Sequence, residues 1–272
     1  EKAVNTQNTI KHIINNKLNM MGISKKIEPQ SSESIEYSLE YLNPNTNLTE
    51  LVEGVSRSGR GRICLCGHSG TGKTAFAHYL AKRINKPIIQ KRPSDLLSKW
   101  VGETEKEIAL MFEQGKDENG VLLLDEADSF IRDRQLSKTS WEVTMTNEIL
   151  VQLEQYQGLF ICSTNLMDNL DKASLRRFDF KVSFDYLTPI QSWKLFQQVI
   201  SEFDSQIDDH DLPKFRQQVQ ILNNLTPGDF TLIKRRSIIT ELEMSNEMLL
   251  EELKEESRMK SGQKQRVIGF CS

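Results

Sequence analysis

The sequence predicts an α/β fold, a parallel five-stranded sheet flanked by helices, followed by an all-α region. Short runs that are apolar at every position, such as Val121–Leu124, alternate with stretches whose apolar residues recur at helical spacing. A strand apolar throughout suits a sheet covered on both faces, and strand–helix alternation implies parallel pairing. After about Leu187 the strand pattern stops and helical periodicity alone continues.

Residues 1–38 are polar, with Ile10, Ile13, Ile14 and Leu18 near helical spacing and a Ser-rich stretch from Gln30 to Ser34. An amphipathic helix and a linker fit this pattern. Whether it docks on the body or leads to a further domain stays open, as does whether the chain, which begins without Met, is a piece of a longer one. Residues 39–186 are expected to form the α/β domain and 187–272 a small helical lid. Within the first, Arg62–Cys66 reads as a buried strand and Thr74–Asn85 as a helix with Phe76, Tyr79, Leu80 and Ile84 on one face. Pro87–Gln90 follows as a strand, then Glu103–Gln114 as a helix carrying Ile108, Met111 and Phe112. Val121–Leu124 is the third strand. Trp141, Met145, Ile149 and Leu153 step by four along a long helix, and Leu159–Ser163 and Phe180–Phe184 complete the sheet. In the second part, Ile190, Trp193, Phe196, Ile200 and Phe203 mark an amphipathic helix. Thr226-Pro227-Gly228-Asp229 reads as a helix start, with Thr as cap, Pro in the first turn and an acid at the third position. An acidic helix from about Glu241 to Arg258 would turn Leu242, Leu249 and Leu253 inward.

At 272 residues, 38% hydrophobic and 27% charged, the chain reads as soluble and globular. Its net charge of −3 gives no general attraction to nucleic acid or to anionic membranes. No apolar run approaches the roughly 18–20 residues that cross a bilayer, and the N-terminus has no apolar signal region, so no membrane partner is expected and a cytoplasmic location is. Cys64, Cys66, Cys162 and Cys271 show no spacing suited to zinc. Core packing in a reducing compartment is the expectation for them.

Two motifs carry chemistry. Gly67-His68-Ser69-Gly70-Thr71-Gly72-Lys73-Thr74 fits the P-loop pattern in full, between an expected strand and an expected helix. The glycines let backbone N–H groups curl around phosphates, with the helix N-terminus behind them. Lys73 would reach the β- and γ-phosphates of ATP, and the Thr74 hydroxyl would ligand Mg²⁺. About fifty residues on, the Val121–Leu124 run ends in Asp125-Glu126. Asp125 would hold Mg²⁺ from the strand tip, and Glu126 would polarise the attacking water as general base. A chance glycine-rich turn and a solvated acidic turn are the bland alternatives, and the pairing of the two motifs weighs against both.

From about Leu39 onward these motifs sit among others that resemble the AAA ATPases, in the clade of protein-remodelling, severing and disassembly machines. Ser163-Thr164-Asn165 resembles sensor 1, which implies that Asn165 orients the water or contacts the γ-phosphate. Leu170-Asp171 to Phe178-Asp179 resembles the stretch bearing arginine fingers, which implies that Arg176 and Arg177 complete a neighbouring subunit's site. Ser98-Lys99-Trp100-Val101-Gly102 resembles the pore loop of polypeptide-translocating rings, with Lys99, Trp100, Val101 and Gly102 as substrate contacts. Thr226 to Lys234 resembles the lid helix that begins beside the adenine, which implicates Gly228 and Asp229 in nucleotide binding. His68 and Ser69 depart from the prolines usual in the family, and no arginine stands at the sensor 2 position. The resemblance implies an ATP- and Mg²⁺-dependent ATPase in a homo-oligomeric ring, by the family's habit a hexamer, that remodels protein substrates. Two alternatives stay open. One is a nucleic-acid-linked or defence-system ATPase acting through a partner effector. The other is an ATP-gated assembly chaperone or scaffold with slow hydrolysis.

Overall fold

In the computed structural model the described residues are 37–97, 102–128, 140–166, 172–203, 208, 210–242 and 244–262. Strands β1 (Asn43–Pro44), β2 (Gly61–Gly67), β3 (Ile88–Lys91), β4 (Val121–Leu124), β5 (Leu159–Thr164) and β6 (Phe180–Asp185) form one sheet in the order β1-β6-β2-β5-β4-β3. The pairs β2–β5, β2–β6, β4–β5 and β3–β4 are parallel, which gives the five expected strands. The sixth, β1, is a two-residue antiparallel edge paired with β6, too short to leave a periodic signal.

Alternate residues of each strand face opposite sides of the sheet, and here both sides are apolar. Cys64, Leu122, Leu124, Phe160 and Cys162 join one core, with Ile108, Met111 and Phe112 of α4 (Glu103–Asp117) and Met145, Ile149 and Leu153 of α5 (Ser140–Gln155). Ile63, Leu65, Leu123, Ile161, Val182 and Phe184 join the other, with Leu51, Val52 and Val55 of α1 (Leu48–Ser58) and Phe76, Ala77 and Leu80 of α2 (Lys73–Arg83). Burial of this kind is worth about 1.5–3 kcal/mol for each large side chain, so the layering fixes where each strand tip lies. Local signals agree with it: Asn47 caps α1 through Thr49 N–H and Glu50 N–H, and Gly59 ends that helix in the left-handed region at φ 65°. The four-residue α3 (Pro93–Leu96) and the short α6 (Lys172–Leu175) complete this part of the chain.

The C-terminal part is helical, with a third core of its own. α7 (Pro189–Glu202), α8 (Leu212–Ile221), α9 (Pro227–Thr240) and α10 (Asn246–Lys260) bury Trp193, Phe196, Phe215, Phe230, Leu249 and Leu253 together. One expectation is corrected here: the last helix does not run from Glu241. Glu241 adopts φ 52° and closes α9, and Ser245 starts α10 by accepting the Met248 N–H. Leu242 therefore lies between two helices, 54% exposed, instead of on an inner face. Among the described residues no helix is long and apolar enough to cross a membrane.

Candidate active site

In a parallel sheet the C-terminal strand tips and the loops after them share one edge, so β2, β4 and β5 deliver their following residues to one place. β2 ends at Gly67, whose φ is 144° and whose missing Cβ would lie 2.2 Å from the Phe184 carbonyl oxygen of β6. No other residue fits that approach. The loop then turns through Gly70 (φ 80°) and Gly72 (φ 95°) into α2, whose first residues are Lys73 and Thr74. Thr71 closes the loop by donating to the His68 carbonyl at 2.8 Å. Positive φ at Gly70 and Gly72 and an open helix N-terminus form the cradle that a polyphosphate needs. Ser69 is exposed on its rim.

Lys73 is buried under this loop. Its Nζ donates to the Gly67 and His68 carbonyls, both at 2.8 Å, and to Asn165 Oδ1 at 2.9 Å. Burial pushes its pKa below the ordinary lysine value, and the nearby Asp125 and Asp128 carboxylates, with Cys66 and Glu126, pull it back up. An ammonium held by neutral carbonyls is one that phosphate oxygens can recruit.

Thr74 Oγ1 donates to Asp125 Oδ1 at 2.9 Å, which joins the P-loop to the β4 tip. Asp125 is buried and also accepts the Ser163 hydroxyl on Oδ1 and Gln90 Nε2, at 3.0 Å, on Oδ2. Three donors thus converge on this one carboxylate. A hydroxyl and a carboxylate side by side are a hard-oxygen pair of the kind Mg²⁺ takes together with substrate phosphates and water. Among the described residues no group of three His, Cys, Asp or Glu side chains gathers to hold a metal unaided.

Glu126 follows in the left-handed region at φ 57°, with its N–H donated to Ser163 Oγ at 3.1 Å. That backbone is uncommon for a residue with a side chain, and it presents an exposed carboxylate next to a buried one. Asp128 accepts the Thr164 hydroxyl at 2.6 Å and the Asn165 N–H at 2.9 Å, so the β4 loop holds the β5 loop in place. Lys73, Thr74, Asp125 and Asn165 are thus joined by hydrogen bonds at one edge, with Glu126 in the turn that follows Asp125. Gln90, Asp128 and Ser163 belong to the same network and escaped the sequence reading. The sequence does hint at them: Asp128 ends an Asp-Glu-Ala-Asp run, Ser163 precedes Thr164-Asn165, and Gln90 is the polar residue that follows Ile88-Ile89 in β3.

The start of α9 packs on the P-loop. Gly228 N–H donates to the Gly70 carbonyl at 2.9 Å, and a Cβ on Gly228 would come within 2.8 Å of Gly70 Cα. The Asp229 carboxylate is engaged locally: it accepts the Thr226 N–H at 2.7 Å and Lys260 Nζ at 2.6 Å. Lys260 also lies 5.7 Å from the centre of the Tyr186 ring, on which the His68 imidazole stacks at 4.3 Å. His68, where the resembling family has proline, therefore contacts the junction between the sheet and the helical part.

Arg176 and Arg177 lie elsewhere. They precede β6, whose Phe180 stands opposite Ile63 at the start of β2, whereas Phe184 stands opposite Gly67. Four strand residues, about 13 Å, separate these levels, so the arginines occupy the opposite edge of the sheet from the P-loop. Arg176 is exposed, and Arg177 forms an ion pair with Glu154 of α5. Lys99, Trp100 and Val101 lie outside the described residues; Gly102 caps α4 at φ 83° with open space where a Cβ would be. In the basic run at 234–236, Lys234 pairs with Glu202, and Arg236 with Glu252 and Glu256.

The sequence also matches known proteins. Residues 63–186 match the family described as "ATPase family associated with various cellular activities (AAA)". The chain is 29% identical over 168 residues to vacuolar protein sorting-associated protein 4 of Dictyostelium discoideum, covering 60% of this chain and 38% of that protein. It is 30% identical over 166 residues to fidgetin-like protein 1 of Drosophila melanogaster, covering 58% and 32%. A spastin homolog of Caenorhabditis elegans is 32% identical over 151 residues, covering 53% and 28%. The chain thus spans about a third of the length of these relatives.

Proposed function

Since this chain carries an AAA ATPase domain over residues 63–186, homologous to proteins of the VPS4, fidgetin and spastin type, we propose that it binds ATP with Mg²⁺ and hydrolyses it in an oligomeric ring that remodels protein substrates. The observation that carries the hydrolytic part is the bonded set Lys73–Asn165 and Thr74–Asp125, with Glu126 in the next turn. In this reading the P-loop N–H groups and Lys73 bind the phosphates. Thr74 and Asp125 hold Mg²⁺, which when bound neutralises charge on the phosphate oxygens. Glu126 takes a proton from the attacking water, and Asn165 orients that water. A positioned base of this kind contributes about 10²–10⁴ in rate.

The oligomeric part rests on the arginines. From the far edge of the sheet neither can serve its own P-loop, so a nucleotide contact by Arg176 requires a second copy. Residues 39–186 and 187–272 then act as two domains whose junction holds the nucleotide, and Gly228 couples them at Gly70. Residues 99–102 supply the substrate contact by their resemblance to aromatic pore loops. A second reading, an ATP-gated assembly with slow turnover, draws on the ion pair that ties Arg177 to its own chain.

The test is the ATP hydrolysis rate per subunit against protein concentration, with Glu126→Gln as the blank. A rate that climbs with concentration, saturates, and vanishes in the variant is the expected outcome. A flat rate would remove the arginines from the mechanism, and tight ATP binding without turnover would favour the gated assembly.

A further inference from the structure

Asp125 is held from a direction that the nucleotide motifs do not use. Besides the hydroxyls of Thr74 and Ser163 on Oδ1, its Oδ2 accepts Gln90 Nε2 from the neighbouring strand β3 at 3.0 Å. Gln90 is in turn fixed from behind, because its Oε1 lies 3.1 Å from His78 Nε2 on α2. The amide NH₂ already donates to Asp125, so Oε1 is the acceptor and His78 carries its proton on Nε2. A chain of two hydrogen bonds therefore runs from the P-loop helix, across the end of β3, to the β4 tip. The Asp125 N–H adds a backbone tie to the same strand by donating to the Lys91 carbonyl at 2.9 Å.

We propose that Gln90, oriented by His78, is a positioning residue for Asp125 that sets how tightly the site takes Mg²⁺. The inference rests on reading Asp125 as a metal ligand. A carboxylate on a strand tip can rotate about its terminal torsion, and ordering it on metal arrival costs affinity. Donors that fix it beforehand remove that cost, and such outer partners typically govern 10–100-fold in metal affinity or activity. Both Gln90 and His78 are half-buried, so replacing them removes hydrogen bonds with little loss of core.

The experiment uses the full chain in a Glu126→Gln background and measures ATP binding by calorimetry while free Mg²⁺ is titrated. Gln90→Met keeps the side chain's length and removes its donor. It is expected to raise the half-saturating Mg²⁺ concentration about tenfold or more, leaving ATP affinity in EDTA unchanged. His78→Leu moves the requirement the same way by less, and His78→Gln, whose amide N–H has similar reach, restores it. A drop in thermal midpoint with an unmoved Mg²⁺ requirement in Gln90→Met would overturn the inference. Asp125→Asn separates the two levels. If it raises the Mg²⁺ requirement while Gln90→Met does not, the positioning role alone is lost. If Asp125→Asn also leaves the requirement unmoved, the metal reading falls and the positioning role falls with it.

Discussion

In the proposed mechanism Glu126 trades stability for chemistry. At φ 57° it occupies a region where a side chain costs of order 1–3 kcal/mol, and the turn holds it there through the Ser163 hydroxyl on its N–H. The same turn separates an exposed carboxylate from the buried Asp125 beside it. Glycine adopts this backbone freely, so Glu126→Gly is expected to stabilise the protein by about 1 kcal/mol, near 2–4 °C in thermal midpoint. It should lower ATP hydrolysis by about 10²–10⁴ at the same time. Calorimetric melting beside a phosphate-release assay checks both. An unchanged midpoint would mean that the turn stores no strain, and an unchanged rate would remove Glu126 from the general-base role.

At the scale of elements, what could be read in the sequence was what is encoded locally. The P-loop lies within eight consecutive residues, and Val121–Leu124 declares a strand buried on both faces by its composition alone. The cap at Thr226 with Asp229 three residues on is also a local signal, and the structure bears it out. What was missed depends on contacts across the chain. Gln90 meets Asp125 over 35 positions, Ser163 meets it over 38, and Lys260 meets Asp229 over 31. The false start of the last helix has the same origin in reverse: Leu242 fits the apolar period, but Glu241 breaks the backbone before it. Packing between elements then makes its own prediction. Gly228 lies where α9 touches the P-loop, and a methyl there would stand 2.8 Å from Gly70 Cα and 3.1 Å from the Gly70 carbonyl oxygen. Gly228→Ala should push α9 off the loop at a cost of about 1–3 kcal/mol, the usual range for overpacking. Nucleotide affinity would fall by about tenfold or more, since a difference of 1.4 kcal/mol is tenfold in binding. Titration of ATP against the variant checks this, and an unchanged affinity would mean that the contact plays no part in holding nucleotide.

For the whole molecule, the sheet's two edges divide the chemistry proposed above. Lys73, Thr74, Asp125, Glu126 and Asn165 follow the C-terminal tips, and Arg176 and Arg177 precede the N-terminal start of β6. If both sets act on one phosphate, they must come from different copies, related head to tail so that each copy gives one edge and receives the other. Heterologous contacts of that kind close into rings when the rotation permits. The arrangement makes each site a composite, and composites can be rebuilt from halves. Glu126→Gln lacks its own base but still offers Arg176; Arg176→Ala lacks the arginine but keeps its base. Each alone is expected to be inactive, because an arginine so placed is worth about 10³–10⁵ in rate. Mixed in equal amounts and allowed to exchange subunits, they should regain activity in about a quarter of sites, those where Arg176→Ala holds the nucleotide and Glu126→Gln supplies the arginine. Phosphate release from the mixture, against the two variants alone at the same total concentration, reads the outcome. Recovery requires that the two edges meet between subunits. A mixture that stays as inactive as its parts, although exchange is verified by labelled subunits, would mean that no neighbour completes the site, and Arg176 would then be a solvated surface residue of its own sheet edge.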